Sequence, residues 1–431
     1  MSLRPSGSVL AGLAALIAIL GNWHPDPLLS TLWRLPAALL LAGLAYESAL
    51  VGKARLSLRI DAPARWFLGR PGALRLEFRH ALSRPVVLEV APSAPDDFAC
   101  DGAVVKLLAG AGEPAGCTLR AVPRSLGRHE WPPIRLRVGG VLRLAWWPKV
   151  LEDPCAVRVA PDLLRPESAA AGAGAVGARS GRTLGAGAEL LQLRPYQAGD
   201  SPRVIDWKAS ARVRRLVSRD FSEDQHLEIL LLIDAGRASA FRAGELDRFG
   251  HYVNAAARLA QYAASQDDLV GLVIFADRPL VELKPARGLA AVMRIRSALG
   301  AARIERAESN PLHAAVRARA LARHRSLVVL FTDMDDAVAG QLGDAVRILR
   351  PKHLPFVAGL SSAAAEALAV APAHHWADPY RALAAQEYCS SLERKVSALR
   401  GLGAPALIAR PEQLDRAVFD AYASFRRQRR V

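Results

Sequence analysis

The larger part of this chain is predicted to be an α/β fold, preceded by a small β-sandwich and an N-terminal transmembrane helical hairpin. Three observations predict this. From about residue 225 onward, unbroken Val/Ile/Leu runs alternate with helical patterns, as a mostly parallel, doubly wound sheet with buried strands requires. Between about residues 55 and 160, short runs alternate apolar and polar at period two between Pro, Gly and Asp turns, the pattern of antiparallel sheets with one wet face. Ahead of both lie two apolar stretches, 9–22 and 35–51, with Glu47 as their only charged residue.

The elements follow in order. Residues 1–54 are read as the hairpin, with helices over about 8–23 and 33–52. Pro25 and Pro27 break the chain between them, and Trp23 and Trp33 suit the membrane interface. A signal peptide fits the first run alone, but GNWHPDP offers no small-x-small cleavage site. Arg4 precedes the hairpin and Lys53, Arg55 and Arg59 follow it. The positive-inside rule therefore puts both termini, and the bulk of the chain, on the cytoplasmic side of the inner (cell) membrane. Residues 55–165 form the β-rich domain, which carries no catalytic spacing. Residues 166–188 are Ala/Gly-rich and read as a linker. Residues 189–224 stand apart as a charged segment, and 225–431 form the α/β domain. Its strands are expected at 226–236, 268–277, 326–334, 353–360 and 405–410. Its helices are expected at 241–265, 288–302, 311–325, 336–350, 379–400 and 412–429. Ligands on such sheets bind at the strands' carboxyl ends, which here carry Asp234 and Asp333, with Asp277 nearby.

Composition narrows the function only slightly. Against 41 Asp+Glu stand 57 Lys+Arg, a formal charge of +16, which favours anionic partners such as nucleic acid, acidic protein or an anionic leaflet. Arg is spread through every region, however, as a GC-rich coding bias would also produce. Cys100, Cys117, Cys155 and Cys389 lie far apart without a CxxC, so they read as small buried residues in a reducing compartment; a Cys100–Cys117 disulfide is the less favoured alternative. No Walker lysine motif, GxGxxG after the first strand, HExxH or GxSxG is present, and no enzyme is expected. His374 and His375, beside Trp376, read as a loop before a helix capped by Asp378. The basic tail SFRRQRRV ends an amphipathic helix and suits anionic lipid.

The most informative stretch is 193–221, LRPYQAGDSPRVIDWKASARVRRLVSRDF. Charged residues interleave with Tyr196, Ile205, Trp207 and Leu216, read as apolar anchors. Ser201 before Pro202 predicts a helix over about 202–212, and Leu216, Val217 and Phe221 predict an extended stretch. Arg194, Asp200, Arg203, Asp206 and Arg212 are expected to form a buried network. A structural charge cluster and a binding surface both remain open readings of this stretch.

Leu193, Arg194, Tyr196, Gly199, Asp200, Arg203, Ile205, Trp207, Ser210, Ala211 and Arg212 fit the pattern L-R-x-Y-x-x-G-D-x-x-R-x-I-x-W-x-x-S-A-R. In this the stretch resembles the signature of the bacterial domain-of-unknown-function-58 family. The resemblance implies an interaction segment comprising Arg194, Tyr196, Gly199, Asp200, Arg203, Asp206, Trp207 and Arg212. The α/β half in turn resembles the von Willebrand factor type A domain. Such domains hold a divalent cation through D-x-S-x-S after the first strand, a Thr in a later loop and an Asp after the fourth strand. Asp234 and Asp333 fit the first and last positions, but Gly236 and Ala238 stand where the serines belong, Ser239 falls one residue late, and the later loop offers Ser309 or Asn310. The site is therefore expected to be degenerate, built from Asp234, Ser309 and Asp333. Mg²⁺ binding is disfavoured and no other cofactor is expected. The leading reading is a membrane-anchored, non-enzymatic interaction or assembly module, and the resemblance further implies a MoxR-type AAA+ ATPase as partner. The alternatives are a nucleic-acid or anionic-surface binder and, third, a metal-dependent hydrolase using Asp234 and Asp333.

Overall fold

A computed structural model of the chain describes residues 2–23, 31–163, 184–185, 189–222, 226–334 and 336–428. The expected turn over 24–30, almost all of the Ala/Gly-rich linker and the end of the basic tail lie outside the described residues. The chain divides into two compact units, Met1–Asp162 and Leu163–Val431.

In the first unit, helices Pro5–Asn22 and Arg34–Lys53 pack against each other. Arg34–Lys53 is long and apolar enough to cross a membrane, whereas Pro5–Gly21 is apolar but shorter. Glu47, the one acid in these runs, is fully buried. Its carboxylate accepts the N–H groups of Leu144 and Ala145, both at 3.2 Å, in the turn after the strand Ile134–Gly139. A Cβ on Gly140 would lie 2.0 Å from the Glu47 carboxyl carbon, so the close approach requires glycine there. The Arg4 guanidinium lies 4.2 Å over the Trp146 ring, and Ser2–Leu3 pairs antiparallel with Ala145 and Trp146.

The rest of this unit is all-β, as the period-two pattern requires. Five strands, Ser2–Leu3, Ala145–Leu151, Ile134–Gly139, Val86–Ala91 and Val105–Ala109, form one sheet. Four more, Ser57–Asp61, Gly72–Arg79, Ala115–Pro123 and Phe98–Cys100, form another. Along Gly72–Arg79 the residues Leu74, Leu76 and Phe78 are buried while Ala73 and Arg75 are exposed, the alternation of a sheet with one buried face. Trp66, Phe98 and Trp131 make an aromatic cluster with centroids 5.6–6.3 Å apart. All four cysteines are free and partly buried.

In the second unit, strands β1 (Glu228–Asp234), β2 (Leu269–Phe275), β3 (Pro279–Ala286), β4 (Ser326–Phe331), β5 (Leu354–Leu360) and β6 (Ala406–Ala409) form a six-stranded sheet in the order β3-β2-β1-β4-β5-β6. All pairs are parallel except β2–β3. The helices are α1 (Arg248–Ser265), α2 (Gly288–Ala301), α3 (Pro311–Leu321), α4 (Asp336–Leu349), α5 (Ala363–Ala369), α6 (Asp378–Gly401) and α7 (Leu414–Gln428). Every residue of β1 and β4 is buried, which explains their unbroken apolar runs. Leu230, Leu232, Val273, Phe275, Val328, Leu330 and Val357 pack with Leu342, Val346, Leu392 and Leu399 of the helices. Each such side chain contributes about 1.5–3 kcal/mol on burial.

Several boundaries differ from expectation. Residues 242–247 form a two-stranded hairpin instead of the start of α1, because Gly244 adopts φ +74° and Asp247 caps the helix through the Gly250 N–H. The edge strand β3 and the helix α5 were not expected. At the start of α6 the loop reading of His374 and His375 fits: their N–H groups donate to Asp378 at 2.9 and 2.8 Å, which holds its carboxyl below the usual range.

Candidate functional site

The signature segment is a hairpin with a crossing turn. Glu189–Pro195 pairs antiparallel with Val217–Ser222, and residues 196–216 bridge them. Arg194 donates a bidentate pair to Asp200 at 2.8 and 2.7 Å and a further bond to Asp220 at 3.1 Å. Asp200 also accepts from the Gln197 N–H and the Ser218 hydroxyl. These donors, the Arg194 guanidinium foremost, hold the Asp200 carboxyl well below the usual carboxylate range. The turn closes through Gly199 at φ +109°, a conformation that favours glycine, and Tyr196 donates its hydroxyl to the Asp200 carbonyl.

The expected single helix over 202–212 is broken in two. Ser201 caps only a 3₁₀ turn, Pro202–Val204. Asp206 then starts a helix, Trp207–Val213, by accepting the Ala209 N–H at 2.9 Å. Ser210 fastens that helix to the hairpin, donating to the Asp206 carbonyl and accepting from the Val217 N–H. Ile205 is buried.

The network is only partly buried and comprises Arg194, Asp200 and Asp220, with Asp206 as a cap. Arg203 and Arg212, expected within it, are exposed. Trp207 and Leu216, expected as anchors, are also exposed, Trp207 at 66%. The physical reason is local: once Arg194 fills both carboxylates and Asp206 serves the helix, no acid is left for the other cations. Arg203, Lys208, Arg212, Arg214 and Arg215 are all exposed, and they make no ion pair or side-chain hydrogen bond among the described residues. The result is a tryptophan among uncompensated cations.

The second cluster lies at the carboxyl ends of β1 and β4, neighbours at the point where the strand order reverses. Asp234, 1% exposed, accepts at one oxygen from the Gly236 N–H at 2.8 Å and the Ser309 hydroxyl at 2.5 Å. Its other oxygen accepts from the Thr332 hydroxyl at 2.6 Å. Burial pushes the Asp234 carboxyl up, against the opposing effect of these donors. Asp333 accepts from the Met334 N–H and forms an ion pair with Arg248 of α1. Arg248 also reaches the Tyr388 hydroxyl, and Lys395 of α6 donates to the Met334 carbonyl at 2.7 Å.

The three residues of the degenerate site are therefore brought together, but they do not fit a divalent ion. A Cβ on Gly236 would lie 2.1 Å from the Ser309 hydroxyl oxygen, so Ser309 fills the space that the missing serine would need. Ser239 points its hydroxyl to the Asp234 carbonyl. A hard cation needs about six oxygens, whereas here the carboxylate oxygens are occupied by protein donors and one guanidinium. Among the described residues no group of three or more His, Cys, Asp or Glu could hold a metal. The sequence reading missed Thr332 and Arg248. A threonine directly before the strand-tip aspartate was a usable signal; nothing marked Arg248.

Comparison with known proteins gives a family match over part of the chain and several distant structural likenesses. No curated protein matches the chain. Among solved structures, the conserved hypothetical protein BatB from Bacteroides thetaiotaomicron aligns at 14% identity over 31% of this chain and 66% of its own, with a TM-score of 0.25. Proximal thread matrix protein 1 from the mussel byssus aligns at 12% identity, over 32% of this chain and 37% of its own, with a TM-score of 0.27. Native alpha-2-macroglobulin from Escherichia coli aligns at 20% identity, over 26% of this chain and 17% of its own, with a TM-score of 0.20. This chain thus spans less than two thirds of each. Residues 192–365, from the signature through β5, match the family model described as "Protein of unknown function DUF58", and this match supports that family for the chain.

Proposed function

We propose that this chain is a membrane-anchored, non-enzymatic docking module whose partner binds the outward face of the 193–221 segment. One observation carries the reading. Within the signature, Arg194, Tyr196, Gly199, Asp200, Ile205, Asp206 and Ser210 each have an internal structural task, whereas Arg203, Trp207 and Arg212 have none. An exposed tryptophan in a segment rich in exposed Arg and Lys has the composition of an interface hot spot, and the segment's uncompensated positive charge fits an acidic protein surface. A lone aromatic is a poor platform for nucleic acid, which is bound through successive stacked bases.

The partner is a MoxR-type AAA+ ATPase, as the family resemblance implies. The α/β domain is type A-like, a reading supported by its strand order and by the two aspartates at the reversal point. The helices Pro5–Asn22 and Arg34–Lys53 anchor the chain in the inner membrane, and Arg4, Lys53 and Arg55 keep the bulk of it cytoplasmic.

The test is a photo-crosslinker in place of Trp207 in the full-length protein in its native membrane. Adducts with a MoxR-type ATPase are expected. Adducts confined to nucleic acid or lipid would overturn the reading in favour of an anionic-surface binder.

A further inference from the structure

We propose that Arg248 is a resident cation: its guanidinium takes the role at the strand tips that a divalent ion would otherwise fill, and holds the α/β domain permanently in a metal-independent state. The proposal starts from charge. Asp234 and Asp333 are 1% and 2% exposed, at the ends of adjacent parallel strands. Carboxylates so buried and so close need a positive charge or a proton. The described residues supply the charge from within: Arg248, itself 8% exposed, pairs with Asp333.

The surrounding donors agree with that assignment. Neutral donors alone, Gly236, Ser309 and Thr332, satisfy the Asp234 oxygens, so the single guanidinium is left to Asp333. Thr332 joins the two strand tips, since its hydroxyl lies 2.6 Å from the Asp234 carboxylate and 3.3 Å from the Asp333 main-chain carbonyl oxygen. Arg248 is the first residue of α1, and the cap made by Asp247 fixes where α1 begins. The cation is thus built into the fold instead of being drawn from solution. A shorter residue at 248 would leave the Asp333 carboxylate facing open space, and bound waters can complete a hard cation's shell there.

The experiment uses the purified full-length protein in detergent, heated in chelator, in Mg²⁺ and in Mn²⁺. The wild-type unfolding temperature is expected to be the same in all three. Arg248→Met should unfold at a lower temperature, with part of the loss returned by millimolar Mn²⁺ or Mg²⁺. Adding Asp333→Asn should return the temperature without cation and abolish the cation response. A wild-type protein destabilised by chelation would overturn the proposal. So would an Arg248→Met loss that neither cation nor Asp333→Asn relieves, since that describes an ordinary packing role. If Arg248→Met alone does not accumulate, the double variant carries the test. Wild-type-like unfolding of the double variant supports the resident cation, and its failure to accumulate overturns it.

Discussion

The strand tips and the signature segment use the same device, an arginine paired with aspartate, and arrive at opposite surfaces. At the strand tips Arg248 pairs with Asp333, hydroxyls saturate Asp234, and all of these groups are buried. In the signature Arg194 is the cation that pairs with both Asp200 and Asp220, and Arg203, Lys208, Arg212, Arg214 and Arg215 stay outside with Trp207. The first region is closed and its charges face inward; the second turns a surplus of positive charge outward. Surplus charge on a rigid support is what a partner can use, and complementary charge governs partner choice and encounter rate. Where an α/β sheet would ordinarily present its ligand site, both carboxylate oxygens of Asp234 already accept from protein donors and Asp333 pairs with Arg248. Its outward chemistry lies one segment earlier.

Substitutions can break this comparison, beginning with the largest expected effect. Asp333→Ala should cost about 3–5 kcal/mol, because it leaves the Arg248 guanidinium buried without its counter-charge; chemical denaturation of the full-length protein measures it. Gly236→Ala should cost about 1–3 kcal/mol, since the added carbon meets the Ser309 hydroxyl and must displace it. A neutral Gly236→Ala would mean that the strand-tip loops have room for a further ligand. Arg194→Ala should lower the melting temperature less, because the Arg194–Asp200 pair is only partly buried.

The Arg194 effect has a pH signature. Asp200 is held below its usual range in the folded protein, so its contribution is present above the unfolded value of about 4 and is lost as pH falls through the folded value. The gap between wild type and Arg194→Ala should therefore narrow on acidification; a gap that widens would contradict the pairing. Smallest in stability is the pair Trp207→Ala and Arg212→Glu, each expected within about 0.5 kcal/mol of wild type. A large loss from either would place that residue in the internal structure and remove it from the docking face.

Much of the α/β half was legible because strands buried on both faces must be continuously apolar, as β1 and β4 are. The edge strand β3 was not: PLVELKPA carries two prolines, Glu282 and Lys284, and is only half-buried. An edge strand pairs on one side and so tolerates such residues. In the signature, the caps at Ser201 and Asp206 are short-range and follow from residue type, although only the first was read. The direction of Trp207 was illegible, because a tryptophan at a helix start reads equally as core or surface. The ion pair of Arg248 with Asp333 joins residues from separate elements, and only the fold brings them together. Glu47 looked like a blemish in an apolar helix; its backbone partners lie in a turn of the β-domain.

The most direct test of the account compares recovery of a MoxR-type ATPase with the full-length protein from native membranes, in chelator and in Mg²⁺, for wild type and for a variant carrying Trp207→Ala and Arg212→Glu. Equal recovery is expected from wild type with and without chelator, and loss from the variant at an unchanged melting temperature. Recovery that vanishes on chelation and persists in the variant would contradict it, and would put the docking site at the strand tips.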